Sequence, residues 1–380
     1  MENSTVIIAG GGLAGLTAAI HLSGLGFQVT VFEKNAYPKH KVCGEYISNE
    51  VLPYLSWLKL DLNELYPTHI TKIHFSTTGG RNITAPLPLG GFGVSRYALD
   101  NFLYQKAIAN GCKVIQDSVE NVEFIEDAFI VNTSSGTVYN STIVLGAFGK
   151  RSAIDQKMQR DFIKHKSPWL AVKAHYTGAF PDDVVGLHNF KGGYCGVSKV
   201  ENDKINICYL ADYDSFKSYK NVQEYQEKVV AKNPNLKEIF DTMTLVSEKP
   251  LTISQISFAP KHAVDNHILM IGDTAGLIHP LCGNGMAMAI HSAKMASDLV
   301  AKYLRKELES REELENRYTQ EWNHKFRQRL RIGRWLSALL QKPKLSDATL
   351  SVLTVFPSLL TAIIKKTHGK YLTKNLYYVH

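Results

Sequence analysis

A short apolar segment followed by a glycine-rich turn constrains this fold more than any other feature of the chain. Val6–Ala9 is short enough for a buried strand, and Gly10–Gly15 then follows the pattern G-x-G-x-x-G. A helical pattern comes next, and a second apolar segment, Val29–Phe32, ends at Glu33. In such a unit the glycines allow a tight turn, close approach of a pyrophosphate and close packing of helix on strand. We therefore predict a dinucleotide site, with Glu33 accepting hydrogen bonds from ribose hydroxyls.

A second sheet is predicted where the hydrophobic period changes to strict alternation. This alternation begins at His69, and a turn containing two glycines, 78–81, separates the first two segments as in an antiparallel hairpin. The predicted strands of this sheet are His69–Phe75, Asn82–Leu87, Leu170–Tyr176, Gly193–Val200, Ile205–Leu210 and Leu251–Phe258. Helical periodicity predicts Arg96–Asn110, Tyr219–Lys232, Gly285–Leu304 and most of 307–380.

A second signature lies far from the first, between Gly272 and Gly285. Asp273 ends a predicted buried strand, where its carboxylate can accept hydrogen bonds from ligand hydroxyls. Pro280 and Gly283 then open a helix whose first N–H groups face whatever ligand lies there.

Taken together, the two signatures resemble those of the p-hydroxybenzoate hydroxylase-like flavoproteins. The resemblance implies that the ligand is FAD, that Asp273 holds its ribityl chain, and that Pro280, Gly283 and Gly285 line the flavin edge. Arg96, after Gly93-Val94-Ser95, resembles the family's arginine at a helix start, which touches the cofactor. Segment 144–152 resembles the family's G-A-D-G-x-x-S signature, with Phe148 in place of the aspartate.

Further details resemble the geranylgeranyl reductase-like branch of that superfamily. Segment 37–45, Tyr-Pro-Lys-His-Lys-Val-Cys-Gly-Glu, is similar to the branch's F-P-R-x-K-x-C-G motif, and Gly276 is the branch's residue where aromatic hydroxylases usually carry histidine. The branch's Y-x-W-x-F-P motif is matched only in part at Gly193–Val197, which lacks the tryptophan and the proline. The resemblance implies that Cys43 lies over the flavin or the substrate.

The predicted site residues fall into three groups. Those expected to bind the cofactor are Gly10, Gly12, Leu13, Ala14, Gly15, Glu33, Lys34, Lys41, Cys43, Gly44, Arg96, Gly149, Asp273, Pro280, Gly283, Asn284 and Gly285. Cys43 and His279 are the candidates for catalysis, as a proton donor or an acid or base, although either can instead be a packed structural residue. Tyr194 and Cys282 are candidates for the substrate pocket, with core packing as the alternative.

Composition and charge limit the partners. The net charge is +8, and the densest run of basic residues is 325–334. This run is either a solvated helix face or a site for anionic partners. No nucleic-acid recognition motif accompanies it. Five scattered cysteines without C-x-x-C spacing support neither a disulfide framework nor a metal site, and they favour a cytoplasmic location. Segment 348–366 has apolar residues at helical spacing, and either packs on its own domain or docks on a membrane surface.

These features predict an α/β fold of the GR2, p-hydroxybenzoate hydroxylase-like type. We expect a discontinuous Rossmann-like FAD-binding domain (1–65, 94–160 and 262–304), an inserted antiparallel β-sheet substrate domain (66–93 and 161–261) and a helical C-terminal region (305–380). The expected function is an FAD-dependent monooxygenase that takes electrons from NAD(P)H and acts on a hydrophobic or aromatic small molecule. The alternatives are a reductase of C=C bonds in a polyprenyl chain, and a non-catalytic or partner-dependent flavoprotein. The sequence predicts no oligomeric state.

Overall fold

The computed structural model describes residues 2–164, 166–246, 249–340 and 342–372. The strands, numbered in chain order, are β1 Glu2–Ala9, β2 Val29–Phe32, β3 Tyr46–Ser48, β4 Thr68–Ser76, β5 Asn82–Gly93, β6 Lys113–Ile115, β7 Val119–Ile125, β8 Ala128–Thr133, β9 Val138–Gly146, β10 Trp169–Thr177, β11 Val184–Phe190, β12 Gly193–Lys199, β13 Ile205–Asp212, β14 Thr244–Leu245, β15 Leu251–Ser254, β16 Val264–Asp265 and β17 Ile268–Met270. The helices are α1 Leu13–Gly24, α2 Leu52–Trp57, α3 Arg96–Ala109, α4 Ala153–Lys157, α5 Tyr213–Phe216, α6 Val222–Lys228, α7 Pro234–Thr242, α8 Gly285–Leu304, α9 Arg311–Leu340, α10 Pro343–Val355 and α11 Pro357–Thr367.

The first sheet carries the glycine-rich turn. Its strands lie in the order β6-β2-β1-β9-β17-β16, and the pairs from β6 to β17 are parallel. The hairpin of β7 and β8 extends it by pairing with β9. Because parallel strands all point the same way, the loops after β1, β2, β9 and β17 meet at one edge, which is where ligands bind in open α/β sheets. Gly10, Glu33, Gly149 and Asp273 lie in these loops.

Helices cover this sheet and build the main core. α1 packs against α3 and α8, and its residues Leu16, Ala19 and Leu22 are fully buried. Strand β1 is buried on both faces, since Ile7 and Ile8 are both inaccessible, as expected for a parallel strand covered by helices. This double burial explains why the strand is a continuous apolar run rather than an alternating one.

The second sheet is largely antiparallel, as predicted. Its order is β14-β10-β13-β12-β11-β4-β5-β3, with β15 beside β10, and only the pair β4 and β11 within this described sheet is parallel. Strand β3 pairs with β5 in this sheet, although the sequence analysis assigns residues 46–48 to the first domain. The chain therefore passes from the cofactor loop at Cys43 directly into the second sheet. The expected α/β architecture, with a second sheet and a helical C-terminal region, is confirmed.

Some predicted elements differ from those observed. β11 was not predicted, because Gly186, His188 and Asn189 interrupt its alternation. β15 ends at Ser254 rather than at residue 258, since Gln255 has a left-handed backbone with φ of 59°. The helix predicted over 219–232 is shorter: Asn221 caps α6, which ends at Lys228, and the additional helix α7 begins with Pro234 after the cap Asn233.

The C-terminal helices close over the second sheet. Leu353, Leu360 and Ile364 from α10 and α11 pack with Ile73 and Phe75 of β4, along with neighbouring residues of the sheet. Phe356, which shares their predicted apolar pattern, is 54 % exposed, and the Leu350 side chain and residues 373–380 lie outside the described residues. Among the described helices, none is long and apolar enough to cross a membrane.

Candidate active site

The glycine-rich turn is shaped by backbone contacts that only glycine permits. Gly10 has φ of 115°, and a Cβ there would lie 2.3 Å from the carbonyl oxygen of Ala147. A Cβ at Gly15 would lie 2.0 Å from the carbonyl oxygen of Gly10. These two glycines therefore serve the packing of β1, α1 and the loop after β9 against one another.

Gly12 is different, because it faces open space bordered by two cations. The heavy atoms nearest a Cβ at Gly12 would be Nη2 of Arg96 and Nζ of Lys41, both at 3.8 Å. Arg96 is the first residue of α3 and binds both oxygens of Asp100 at 2.7 Å, and Lys41 reaches the same carboxylate at 3.1 Å. Burial opposes the charge of Arg96, but Asp100 more than offsets this and raises the pKa of the guanidinium.

Glu33 follows β2 at the other side of the turn. Its carboxylate accepts a hydrogen bond from the backbone N–H of Gly11 at 3.2 Å and another from the Asn35 side chain at 2.7 Å. The Tyr37 hydroxyl donates to the carbonyl oxygen of Gly11 at 2.5 Å. These bonds fix the acidic side chain beside the turn, at the position where the sequence predicts ribose recognition.

The Asp273 loop is tied to the loop after β9. The Thr274 hydroxyl accepts a hydrogen bond from the backbone N–H of Gly149 at 2.8 Å. The Lys261 ammonium donates to the carbonyl oxygen of Asp273 at 2.7 Å and to that of Lys150 at 3.1 Å. Burial lowers the pKa of Lys261 to about 8. Two segments far apart in sequence are thereby held as one wall, which leaves the Asp273 side chain at the surface of a cavity.

A single cavity of about 850 Å³ joins these loops to the second sheet and to the C-terminal helices. Most of the predicted site residues line it: Gly10, Gly12, Leu13, Ala14, Glu33, Lys34, Lys41, Cys43, Gly44, Arg96, Gly149, Tyr194, Asp273, Pro280, Cys282, Gly283 and Gly285. Three of the predicted site residues do not line this cavity in the described part of the chain, namely Gly15, His279 and Asn284.

His279 and Asn284 point elsewhere. The His279 ring is buried among Trp169, Tyr194 and Phe258, and burial lowers its pKa to about 3. Its imidazole is therefore neutral, with Nε2 unpartnered within the described structure. The Asn284 amide oxygen accepts a hydrogen bond from Arg329 at 3.2 Å, which ties the start of α8 to α9.

A cluster of thiols lines the middle of the cavity. Cys43 touches Met286, with 3.4 Å between the two sulfur atoms, and Cys208 and Cys282 share this wall with Tyr194. Burial raises the pKa of both Cys208 and Cys282 to about 12, and it raises that of Tyr194 as well. These groups are therefore neutral at physiological pH and poor proton donors.

Sequence reasoning missed a buried charge cluster next to the cofactor loop. The Glu45 carboxylate is fully buried and binds Lys173 and His175 of β10, both at 2.6 Å, and the backbone N–H of Arg96 at 2.7 Å. Burial would raise the pKa of Glu45, but the hydrogen bond from His175 and the Lys173 charge lower it instead. The available signal was the pair Lys173 and His175, two polar residues on one face of an otherwise apolar strand.

Sequence reasoning also missed an apolar extension of the cavity, which we call the apolar arm. It is lined by side chains of the second sheet and of the C-terminal helices, namely Ile73, Phe75, Leu87, Val185, Leu187, Leu336, Leu339, Leu353, Leu360, Ile363 and Ile364. No local motif marks it, because its two walls come from segments more than a hundred residues apart.

Comparison with known proteins identifies the family. The sequence model of the family described as FAD binding domain matches residues 3–330. The chain belongs to this FAD-binding family. The predicted resemblance to p-hydroxybenzoate hydroxylase-like flavoproteins is confirmed. The broader prediction of membership in an FAD-dependent oxidoreductase family is also confirmed.

Individual relatives of this FAD-binding protein are distant. It is 23 % identical to a digeranylgeranylglycerophospholipid reductase of Methanosphaera stadtmanae, covering 84 % of this chain and 80 % of that one. It is 21 % identical to a ubiquinone hydroxylase of Neisseria meningitidis, covering 78 % and 68 %. The structure of a geranylgeranyl bacteriochlorophyll reductase-like protein from Thermoplasma acidophilum superposes with a TM-score of 0.75 at 16 % identity, covering 96 % and 97 %. The structural similarity to this last protein shows that the two chains share a fold.

The residues of the cavity fit FAD. Helices α1 and α8 both begin at the cavity wall, and neither N-terminus is capped by a side-chain hydrogen bond in the described chain. Free N–H groups at α1, with Lys41 and Arg96 around the open space at Gly12, suit an anionic pyrophosphate. Glu33 and Asp273 would accept from the ribose and ribityl hydroxyls. The start of α8, at Gly283 and Gly285, would face the flavin.

Proposed function

We propose that this FAD-binding protein is a monooxygenase that hydroxylates a lipophilic molecule with an aromatic or quinone-like head group, using NAD(P)H as electron donor. In the overall reaction one atom of O₂ enters a C–H bond of the substrate and the other leaves as water. NAD(P)H supplies the two electrons, and a proton from solvent completes the balance. Bound FAD supplies the redox chemistry between donor, oxygen and substrate.

The observation that carries this proposal is the continuity of the cavity. One space runs from the glycine-rich turn, past the thiols, to the apolar arm. A head group beside the thiols would place an attached apolar chain in the arm, where Leu353 and Leu360 pack with Ile73, Phe75 and other apolar side chains. The names of two relatives, a ubiquinone hydroxylase and a digeranylgeranylglycerophospholipid reductase, denote substrates of this polar-headed, long-chain kind.

The wall at the thiols favours hydroxylation over C=C reduction. Saturating a double bond requires a proton delivered to a substrate carbon, in addition to a hydride. Cys208 and Cys282, with pKa values of about 12, release their protons reluctantly, and Glu45, whose pKa is lowered, is already ionised. An apolar wall that excludes water instead suits oxygen transfer, because solvent access promotes loss of activated oxygen as hydrogen peroxide before the substrate reacts.

Two measurements test the proposal in sequence. An absorbance scan of the purified protein should show a flavin spectrum, or should show one after titration with FAD. The protein is then reduced without oxygen and mixed with a prenylated quinol or alkylphenol, and product is analysed before and after oxygen is admitted. A monooxygenase forms product only after oxygen is admitted, whereas product formed in its absence would contradict the proposal.

The choice of electron donor needs its own test, since Phe148 replaces the aspartate of the related signature and lines the cavity. NADH and NADPH are mixed separately with the oxidised flavoprotein in a stopped-flow instrument, with and without substrate. Bleaching of the flavin by either supports NAD(P)H as donor. No bleaching under any condition would favour a partner-dependent or non-catalytic flavoprotein.

A second candidate function, reduction of C=C bonds in a polyprenyl chain, is favoured by Cys43. Its thiol lines the cavity beside Met286, on the loop that resembles the reductase branch. If Cys43 delivers the proton, Cys43→Ala abolishes product in the anaerobic assay, while Cys282→Ala, which removes another thiol of the same wall, retains it. A monooxygenase would give no anaerobic product with any of the three proteins.

A further inference from the structure

The C-terminal helices carry an exposed apolar strip. While Leu353, Leu360 and Ile364 face the second sheet, the neighbouring Val352, Val355, Phe356 and Leu359 are between 45 % and 64 % exposed. Val352 and Val355 lie one turn apart on α10, and Phe356, between the two helices, accepts a hydrogen bond from the backbone N–H of Leu359 at 3.0 Å. We call these four exposed residues the outer strip. The same part of the chain exposes three further large apolar residues: Trp335, Leu345 and Tyr371.

Positive charge surrounds the outer strip. Segment 325–372 contains ten lysine and arginine residues and one aspartate. Seven of these cations are exposed, namely Lys325, Arg327, Arg331, Lys342, Lys365, Lys366 and Lys370, whereas Arg329 is buried and Arg334 is half-buried. Lys366 lies two helical turns after Leu359, Lys342 one turn before Leu345, and Arg331 one turn before Trp335. Apolar side chains flanked by lysine and arginine are the pattern of helices that lie in a membrane interface.

The apolar arm opens on this side of the molecule. Trp335 is 58 % exposed and also lines the cavity, so it stands at a mouth of the cavity. Leu336 and Leu339, on the same stretch of α9, continue the wall inward. A lipophilic molecule entering here would pass from the surface that carries the outer strip into the arm without crossing charged loops of the cofactor end.

We propose that the outer strip docks this protein on an anionic membrane surface and that the mouth at Trp335 takes up a lipid-borne substrate from it. Charge complementarity favours an anionic membrane over a second copy of this chain as the partner of the outer strip. A symmetric second copy would place two strongly basic surfaces against each other, whereas anionic lipid headgroups neutralise them. The proposal goes beyond the proposed reaction, and vesicle binding is measured without turnover, so either can fail while the other stands.

Vesicle sedimentation of the flavin-loaded protein tests the docking surface. At low salt the protein should sediment with vesicles of phosphatidylcholine and phosphatidylglycerol, but not with vesicles of phosphatidylcholine alone, and high salt should release it. The charge-reversal pair Lys365→Glu and Lys366→Glu should weaken binding about tenfold or more. The pair Val355→Ser and Phe356→Ser should weaken it similarly, because both side chains are exposed and neither lines the cavity.

Matched controls place the same changes elsewhere. Lys217→Glu with Lys220→Glu reverses two exposed charges near α5, and Ile125→Ser removes an exposed apolar residue of β7. Both control variants should bind as the unchanged protein does, and every variant should keep its flavin and melting temperature. Absence of sedimentation at low salt, or equal loss in the controls, overturns the proposal. The proposal is also overturned if the serine variant of the outer strip binds vesicles normally but shows a changed oligomeric mass in light scattering. The strip would then be a contact between copies of this chain.

Trp335 reports directly on the geometry. Lipids with a quencher on the acyl chain should quench part of the tryptophan fluorescence when vesicles bind. This part should be missing in Trp335→Phe, because Trp169 and Trp322 are buried and the half-buried Trp57 packs on α2 against His21 and Tyr54. Vesicle binding with equal quenching in both proteins would mean that another surface meets the membrane, and would overturn the placement at Trp335.

Discussion

Gly12 and Gly15 are three residues apart, yet replacement by alanine should affect different properties. A Cβ at Gly12 meets no atom closer than 3.8 Å, so Gly12→Ala should fold normally. The added methyl group occupies the space at Arg96 and Lys41, and we expect FAD to bind about tenfold or more weakly, since about 1.4 kcal/mol is a tenfold change. FAD titration followed by flavin fluorescence measures this.

Gly15→Ala is the companion change. Its Cβ would lie 2.0 Å from the backbone oxygen of Gly10, so β1 and α1 must separate. We expect the free energy of unfolding to fall by about 1–3 kcal/mol, the range for overpacking in a well-packed core. A urea titration of the cofactor-free proteins should separate the two variants, and equal stability of both would refute the packing role assigned to Gly15.

Glu45 is expected to be a strong determinant of stability. Glu45→Gln leaves Lys173 and His175 buried without their carboxylate, which should cost about 3–5 kcal/mol. The pKa of Glu45 is lower folded than unfolded, so its contribution is present at neutral pH and is lost as the pH falls below the normal carboxyl range. The free energy of unfolding, measured by urea titration, should therefore change less between pH 7 and pH 4 for the variant than for the unchanged protein. Glu64→Gln, which breaks an exposed pair with Lys106, is the control and should change little.

At the scale of elements, α10 should determine the length of substrate that the cavity accepts. Leu353 lines the apolar arm, and Leu353→Trp should fill part of it, raising KM for a long-chain substrate by about tenfold or more while a short-chain analogue is little affected. Val352→Trp adds the same ring on the outer face of the helix and is the matched control. Equal effects on both chain lengths would mean that the chain does not lie in the arm.

The elements also explain which parts of the site the sequence could predict. The turn at Gly10–Gly15 and the loop at Asp273–Gly285 are contiguous, and local backbone chemistry determines both, so their residues could be placed on one cofactor before the fold was known. The Glu45 cluster and the arm depend on strand pairing: Glu45 and Lys173 are 128 residues apart and meet only through the packing of β10 behind the cofactor loop. His279 followed a motif but packs among aromatic rings, because a motif specifies the path of a loop and not the direction of each side chain.

For the whole molecule, four buried histidines predict early loss of stability in acid. Burial lowers the pKa values of His21, His188, His279 and His291 from 6.5 to about 3. Below pH 6.5 the unfolded chain binds protons at these positions that the folded chain does not. The free energy of unfolding should therefore fall as the pH falls from about 6.5 to about 3, with up to four protons taken up at these positions and one more at His368, whose pKa burial lowers to about 4. Urea midpoints measured across this range give the slope of the free energy of unfolding against pH.

A single replacement checks the source of that slope. His279→Phe keeps an aromatic ring among Trp169 and Phe258 but removes one titrating group, and should reduce the proton uptake by about one. His69→Phe, at an exposed position of β4, should leave the uptake unchanged. An unaltered slope in the first variant would assign the acid sensitivity to other groups.

The position of the apolar arm has a consequence for how function diverges among related chains. The family match ends at residue 330, whereas the α9 to α11 wall of the arm begins at Leu336. The helical wall of the arm therefore lies beyond the segment that the family model matches, whereas its sheet wall, with Ile73, Phe75 and Val185, lies within that segment. If the arm holds the substrate chain, as proposed, changes confined to the helical wall would alter which hydrophobic molecule fits and would leave every glycine of the cofactor loops in place. Substrate classes among these flavoproteins should then follow the similarity of that helical wall more closely than similarity across the shared domain.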